Sequence, residues 1–213
     1  MPTRLEAALE GQARAARART RIILITLAAL FLGGVAVAQV LVQSGWRPAK
    51  TKNYGELVQP ARPLADVELT TLDGRRTSLS ALRGKWNLVY FGPADCLSPC
   101  TDNLYKMRQI VAAQGKEAGR VARVFVVTDS KALDWLRYTL KDYPGMETFI
   151  GPAAAVRALA EQFALPGGGP LDGLHRVYVV DPLGNLMMSY PADADPSRMN
   201  KDISFLLKAS HIG

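Results

Sequence analysis

From Ile22 to Val42 the chain runs IILITLAALFLGGVAVAQVLV, and only Thr26 and Gln39 in that run are clearly polar. A helix this long covers the roughly 30 Å hydrocarbon core of a bilayer, so the sequence predicts a transmembrane helix over residues 22–42. Lys and Arg favour the cytoplasmic flank of such a helix. Arg14, Arg17, Arg19 and Arg21 outweigh Arg47, Lys50 and Lys52 beyond it, which places segment 1–21 in the cytoplasm and the rest of the chain outside. Trp46 stands where an aromatic anchor would meet the headgroups. The small-x-small run Ala36-Val37-Ala38 offers a cleaved signal peptide as the alternative. Against it, the apolar run starts far from Met1 and continues through Val42. Both readings deliver the remainder to the same extracytoplasmic compartment, and retention makes it a single-pass protein of the inner membrane facing the periplasm.

At 213 residues the chain has room for one ordinary domain and an appendage. Its net charge of +7 raises the question of nucleic acid, but after the N-terminal arginines the basic residues are scattered among Asp and Glu, with no stripe and no interleaved aromatics. No nucleic-acid partner is expected. Residues 43–63, rich in Lys, Arg, Gln and Pro without a steady period, read as a linker, and a folded domain is expected over residues 64–213.

Within that domain, Val67–Thr70 followed by Leu72-Asp73-Gly74-Arg75 predicts a strand entering a hairpin turn. Trp86–Phe91 reads as a buried strand and Asn103–Ala113 as an amphipathic helix carrying Leu104, Met107, Ile110 and Val111. A second buried strand is expected over 121–127, helices over 131–141 and 153–163, and a short strand over 146–150. Arg176–Val180 and Asn185–Tyr190 form a hairpin across Asp181-Pro182-Leu183-Gly184, and a helix over 197–208 closes the chain. This order predicts an α/β fold, a thioredoxin-like mixed sheet flanked by helices.

Cys96 and Cys100 are the only cysteines, and they fall where the first buried strand hands the chain to its helix. At i and i+4 on a helical turn, the two side chains share one face, close enough for a disulfide or a shared metal ion. A helix N-terminus also favours thiolate over thiol. A purely stabilising disulfide is the competing reading, but so short a loop restrains the unfolded chain little. A reactive, solvent-reachable pair is expected.

Two soft thiolates suit Cu(I) or zinc but are too few for a closed zinc site or a usual iron–sulfur cluster. Of the two histidines, His211 lies at the C-terminus. His175, after the Gly-rich loop Pro166–Pro170, is the candidate third ligand. Met187 and Met188 are soft donors in principle, though paired methionines on an apolar strand ordinarily fill core space. With so few histidines no Ser/His/Asp triad is available, and Gly167–Gly169 lacks the lysine of a phosphate-binding loop.

These residues give the chain its resemblance to the Sco/SenC family, thioredoxin-fold proteins that assist assembly of the copper centre of cytochrome c oxidase. The similarity rests on the N-terminal anchor, Gly84–Gly92, the Cys96-x-x-x-Cys100 pair, and His175 ahead of Val177–Gly184. Leu97 and Thr101 replace the prolines that usually follow each cysteine, and Thr128–Lys131 replaces an acidic stretch, so the resemblance is to a divergent member. It implies copper, as Cu(I) or Cu(II), held by Cys96, Cys100 and His175. The partner it implies is an oxidase subunit with a copper site, served by Cu(I) delivery or by thiol reduction of that site. Two other functions remain open from the residues: an extracytoplasmic thiol–disulfide oxidoreductase without a metal, and a non-catalytic assembly scaffold.

Overall fold

The computed structural model describes residues 4–44, with side chains from Arg17 onward, and residues 53–210. The expectations resting on Trp46, Arg47, Lys50, Lys52 and His211, and on the side chain of Arg14, lie outside the described residues. The chain divides into two units, residues 1–51 and 52–213. In the first, helix α1 spans Arg4–Gln43. Its portion Arg17–Gln43 is long and apolar enough to cross a membrane, and none of it is buried in protein. The apolar run of the sequence lies inside this helix, which extends further toward the N-terminus.

The second unit is built on an eight-stranded sheet in the order β1-β8-β7-β4-β5-β6-β2-β3. Its strands are β1 (Glu56–Pro63), β2 (Leu69–Thr71), β3 (Arg76–Thr77), β4 (Trp86–Gly92), β5 (Val121–Val127), β6 (Met146–Ile150), β7 (Val177–Val180) and β8 (Asn185–Tyr190). Strands β4, β5 and β6 are parallel, and all other pairings are antiparallel. The helices are α2 (Cys100–Ala112), α3 (Leu133–Thr139), α4 (Ala153–Glu161) and α5 (Pro196–Ala209). This is the mixed, helix-flanked sheet expected from the sequence.

Strand β4 is buried at every residue, because both of its faces are covered. Trp86, Leu88 and Tyr90 enter a core with Leu104, Met107 and Ile110 of α2, Leu136 of α3, and Met199, Ile203 and Leu207 of α5. Val89 and Phe91 enter a second core with Val156, Leu159 and Ala160 of α4. The alternation follows from the two-residue period of a strand. The Met pair fills space as expected: Met188 is buried and Met187 packs against the same core.

One stretch differs from its expectation. Residues 56–63, read as part of the linker, form strand β1 against β8. The sequence concealed it because β1 is an edge strand with most of its residues exposed or half-exposed, so no apolar alternation marks it. An edge also tolerates Pro60 and Pro63, because an edge strand leaves part of its N–H groups without a strand partner.

The start of this strand is held by Asp202 of α5, a buried carboxylate. It accepts hydrogen bonds from the backbone N–H of Tyr54 (2.9 Å) and Gly55 (2.8 Å) and from the Tyr190 hydroxyl (3.2 Å). Gly55 must be glycine, since a Cβ there would strike the Met188 side chain and lie 2.7 Å from the Tyr190 ring. Helix α5 is itself capped by Asp195, whose carboxylate accepts from the N–H of Ser197 and Arg198. Replacing Asp202 with Ala takes the acceptor from two buried donors, the Gly55 N–H and the Tyr190 hydroxyl, and from the half-buried Tyr54 N–H. The Asp202→Ala protein is expected to lose about 2–4 kcal/mol of stability in urea unfolding, with Asp202→Asn intermediate.

Candidate redox and metal site

Strand β4 ends at Gly92, and the chain turns through Pro93-Ala94-Asp95 into the cysteine loop. Two backbone bonds fix the exit from the sheet, from Ala94 N–H to the Asp129 carbonyl and from Thr128 N–H to the Gly92 carbonyl. The loop closes with Cys96 N–H on the Pro93 carbonyl and Cys100 N–H on the Leu97 carbonyl, after which α2 begins. The Ser98 hydroxyl donates to Asp102 in the first turn of α2 (2.7 Å).

Cys96 and Cys100 form a disulfide, with Cα atoms 5.1 Å apart. The i, i+4 spacing at a strand-to-helix junction thus brings the two sulfurs together. The expectation of a solvent-reachable pair is corrected: the cysteines are 1% and 2% exposed and belong to the core with Tyr90, Leu104 and Met107. The cause is that the loop ahead of α2 folds both side chains inward, leaving Leu97, Ser98 and Pro99 as the exposed cover. Gly92 makes the inward packing possible, because a Cβ at that position would stand 3.3 Å from Cys100 Sγ and closer still to Tyr90 and Phe125.

His175 is half-buried and is the one non-glycine among the described residues with a positive φ, at 47°, in a region that costs most side chains energy. Two side chains hold it there. Its Nδ1 lies 2.9 Å from the Tyr90 hydroxyl, and its carbonyl accepts a 2.9 Å hydrogen bond from the amide of Asn103. Asn103 sits one turn past Cys100 on α2, so the helix that starts with one cysteine also grips the histidine. Among the described residues no three of His, Cys, Asp and Glu are placed to hold a metal ion. In the disulfide form, Cys96 and Cys100 are spent on each other.

Tyr90 and Asn103 were not among the residues singled out in the sequence. Tyr90 looked like one more apolar position of a buried strand. Asn103 left a faint signal, being a polar residue on the same face as Met107 and Ile110. Asp129, in the stretch that replaces the acidic segment, has its carboxyl held below the ordinary range by the backbone N–H and side chain of Lys131.

With this geometry established, comparison with known proteins places the chain. A family model described as transmembrane-like, thioredoxin-like, C-terminal domain matches residues 86–210, more than half of the sequence. The chain belongs to this family. Among curated relatives, the mitochondrial SCO2 homologue of Homo sapiens is 29% identical over 178 residues, covering 81% of this chain and 66% of that protein. The chain therefore spans a little under two thirds of that relative's own length. Yeast Sco1 with copper bound superposes with a TM-score of 0.61 at 20% identity, over 72% of this chain and 96% of that one. BsSco, described with a disulfide switch and as a member of the Sco family of cytochrome c oxidase assembly proteins, gives 0.57 at 18%, over 72% and 96%. At such identities the two structures speak to the fold. Together with the SCO2 relatives they support the Sco/SenC resemblance seen in the sequence, and the chain is a divergent Sco-like protein.

Burial raises the hydroxyls of Tyr90 and of Tyr178, on the opposite face of the sheet, to about 12 from an ordinary 10.0. Both are neutral near pH 7. A pKa raised on folding contributes stability that is intact below the unfolded value and lost as pH climbs through the folded one. Urea midpoints are therefore expected to be insensitive to these tyrosines below about pH 10 and to fall between about pH 10 and 12, with Tyr178→Phe reducing the fall.

Proposed function

We propose that this chain is a membrane-anchored assembly factor that handles copper for cytochrome c oxidase, with the reduced thiols of Cys96 and Cys100 and the imidazole of His175 as its metal ligands. The anchor is the helix over residues 22–42, with segment 1–21 cytoplasmic and the thioredoxin-like domain on the periplasmic side of the inner membrane. The disulfide is the oxidised form. Two electrons and two protons from a thiol reductant convert it to two thiols, and uptake of Cu(I) by both sulfurs releases those protons. The observation that carries the reading is the union, on helix α2, of Cys100 at its start and of Asn103 holding His175 one turn later. Copper in a structure of yeast Sco1 and oxidase assembly as the role of the BsSco family add support.

The donor set fits the cargo. Two thiolates and an imidazole satisfy Cu(I), which accepts low coordination and prefers soft ligands, and α2 is oriented to stabilise thiolate at its N-terminus. A second reading, reduction of the acceptor's cysteines without metal, is favoured by the disulfide that Cys96 and Cys100 form with each other. The two can be successive, since an oxidised acceptor must be reduced before it is loaded.

The test is a Cu(I) titration, against a competing chelator, of the full chain in detergent after reduction. One Cu(I) per chain is expected for the wild type, none retained by Cys96→Ser or Cys100→Ser, and a binding at least about tenfold weaker for His175→Ala. Wild type that holds no copper sinks the metal role. In that event, a mixed disulfide trapped by Cys100→Ser with an oxidase subunit supports the reductase reading, and full oxidase assembly with both cysteines changed to Ser leaves only a scaffold.

A further inference from the structure

Helix α5 has two faces of opposite character. Met199, Ile203 and Leu207 point into the core shared with α2. On the solvent side stand Arg198, Lys201, Phe205 and Lys208, at steps of three and four residues that keep them within roughly a quarter of the helix circumference. Phe205 is 59% exposed, a large apolar ring set among cations. None of the three cations has a carboxylate partner among the described residues. Asp202, the one acidic residue in α5, is buried against the N–H groups of Tyr54 and Gly55, and Asp195 is engaged as the N-cap. The face is therefore positive, with an apolar centre. The exposed aromatics of α3 are set differently, because Trp135 and Tyr138 share their segment with Asp134 and Asp142, and no single sign of charge marks that surface.

The same face lies where the chain enters the domain. Asn53 lines an open cleft together with Lys201, Asp202, Phe205 and Leu206, and the Arg198 guanidinium lies over the ring of Tyr54, 3.9 Å from its centre. Helix α1 ends at Gln43, and the chain from there to Asn53 spans at most about 35 Å even when fully extended. We propose that Arg198, Lys201, Phe205 and Lys208 dock the domain on anionic phospholipid headgroups of the bilayer that α1 crosses. The cations meet the lipid phosphates, and Phe205 enters the boundary between headgroups and acyl chains. The inference rests on the reading of residues 22–42 as a membrane anchor and is independent of copper. Helix α5 does not itself insert, since its apolar face is committed to the core. Untethered, one ring and a few cations form a weak lipid site. A short tether attached beside them turns binding into an intramolecular step at high effective concentration, which makes so small a patch sufficient.

The test is amine-reactive footprinting, read by mass spectrometry, of the full chain in three media: nanodiscs of phosphatidylcholine, nanodiscs with about one third phosphatidylglycerol, and neutral detergent. Lys201 and Lys208 are expected to label at least about fivefold more slowly in the anionic discs than in either neutral medium, with Lys131 and Lys141 near α3 unchanged. About 0.5 M salt should restore the labelling. Lys201→Glu, read at Lys208, and Phe205→Ser, read at both lysines, are expected to lose most of the protection. Both replace exposed side chains, so the fold is kept. Equal labelling of Lys201 and Lys208 in anionic and neutral discs overturns the proposal, as does equal protection of Lys131 and Lys141. Protection in neutral detergent that grows with protein concentration identifies a second copy on this face and also overturns it. A chain that fails to co-elute with the discs refutes the anchor, and the proposal falls with it. A chain that co-elutes while both lysines label freely refutes the docking alone.

Discussion

The fold depends on the pairing of strand β4 with β5 on one side and β7 on the other. Held in the middle of the sheet and covered on both faces, β4 has no freedom to shift register, because a slip of one residue would exchange Tyr90 and Leu88 with Val89 and Phe91 between two differently shaped cores. That fixed register decides where the chain leaves the sheet at Gly92, and so where the cysteine loop and the start of α2 lie. It also sets the height of the Tyr90 hydroxyl beneath His175. The site's precision comes from the strand, not from the loops that carry Cys96 and His175.

The disulfide adds to this arrangement in a way its loop length alone would not suggest. Closing so few residues removes little entropy from the unfolded chain, and the stabilising weight of the region rests on the apolar packing of α2. What the bond contributes is a difference between two states of one helix terminus. When it opens, two sulfurs that filled space in the core must find new partners, and the residue that grips the His175 carbonyl rides on the same helix. The sulfur pair and the His175 backbone are thus tied to one helix, with Cys100 opening it and Asn103 donating to the His175 carbonyl.

The central strands were legible because burial on both faces left continuous apolar runs, as in Trp86–Phe91 and Val121–Val127. The cysteine pair was legible because its spacing and its position at a strand-to-helix junction are both properties of local sequence. What escaped had other causes. Strand β1 escaped because an exposed edge imposes no pattern. The burial of the sulfurs escaped because spacing fixes the face of the turn and says nothing of what covers it. The partners of His175 escaped because Tyr90 and Asn103 lie 85 and 72 residues away in the chain, and only the completed sheet brings them to the imidazole.

The two ends of the sheet have a consequence for how copies of this chain meet one another. One end is β3, only two residues long, and the other is β1, interrupted by Pro60 and closed by Pro63. Neither offers a neighbouring copy a clean row of donors and acceptors on which to grow another strand. Copies brought side by side meet no clean strand edge on which a continuous β-ribbon could grow.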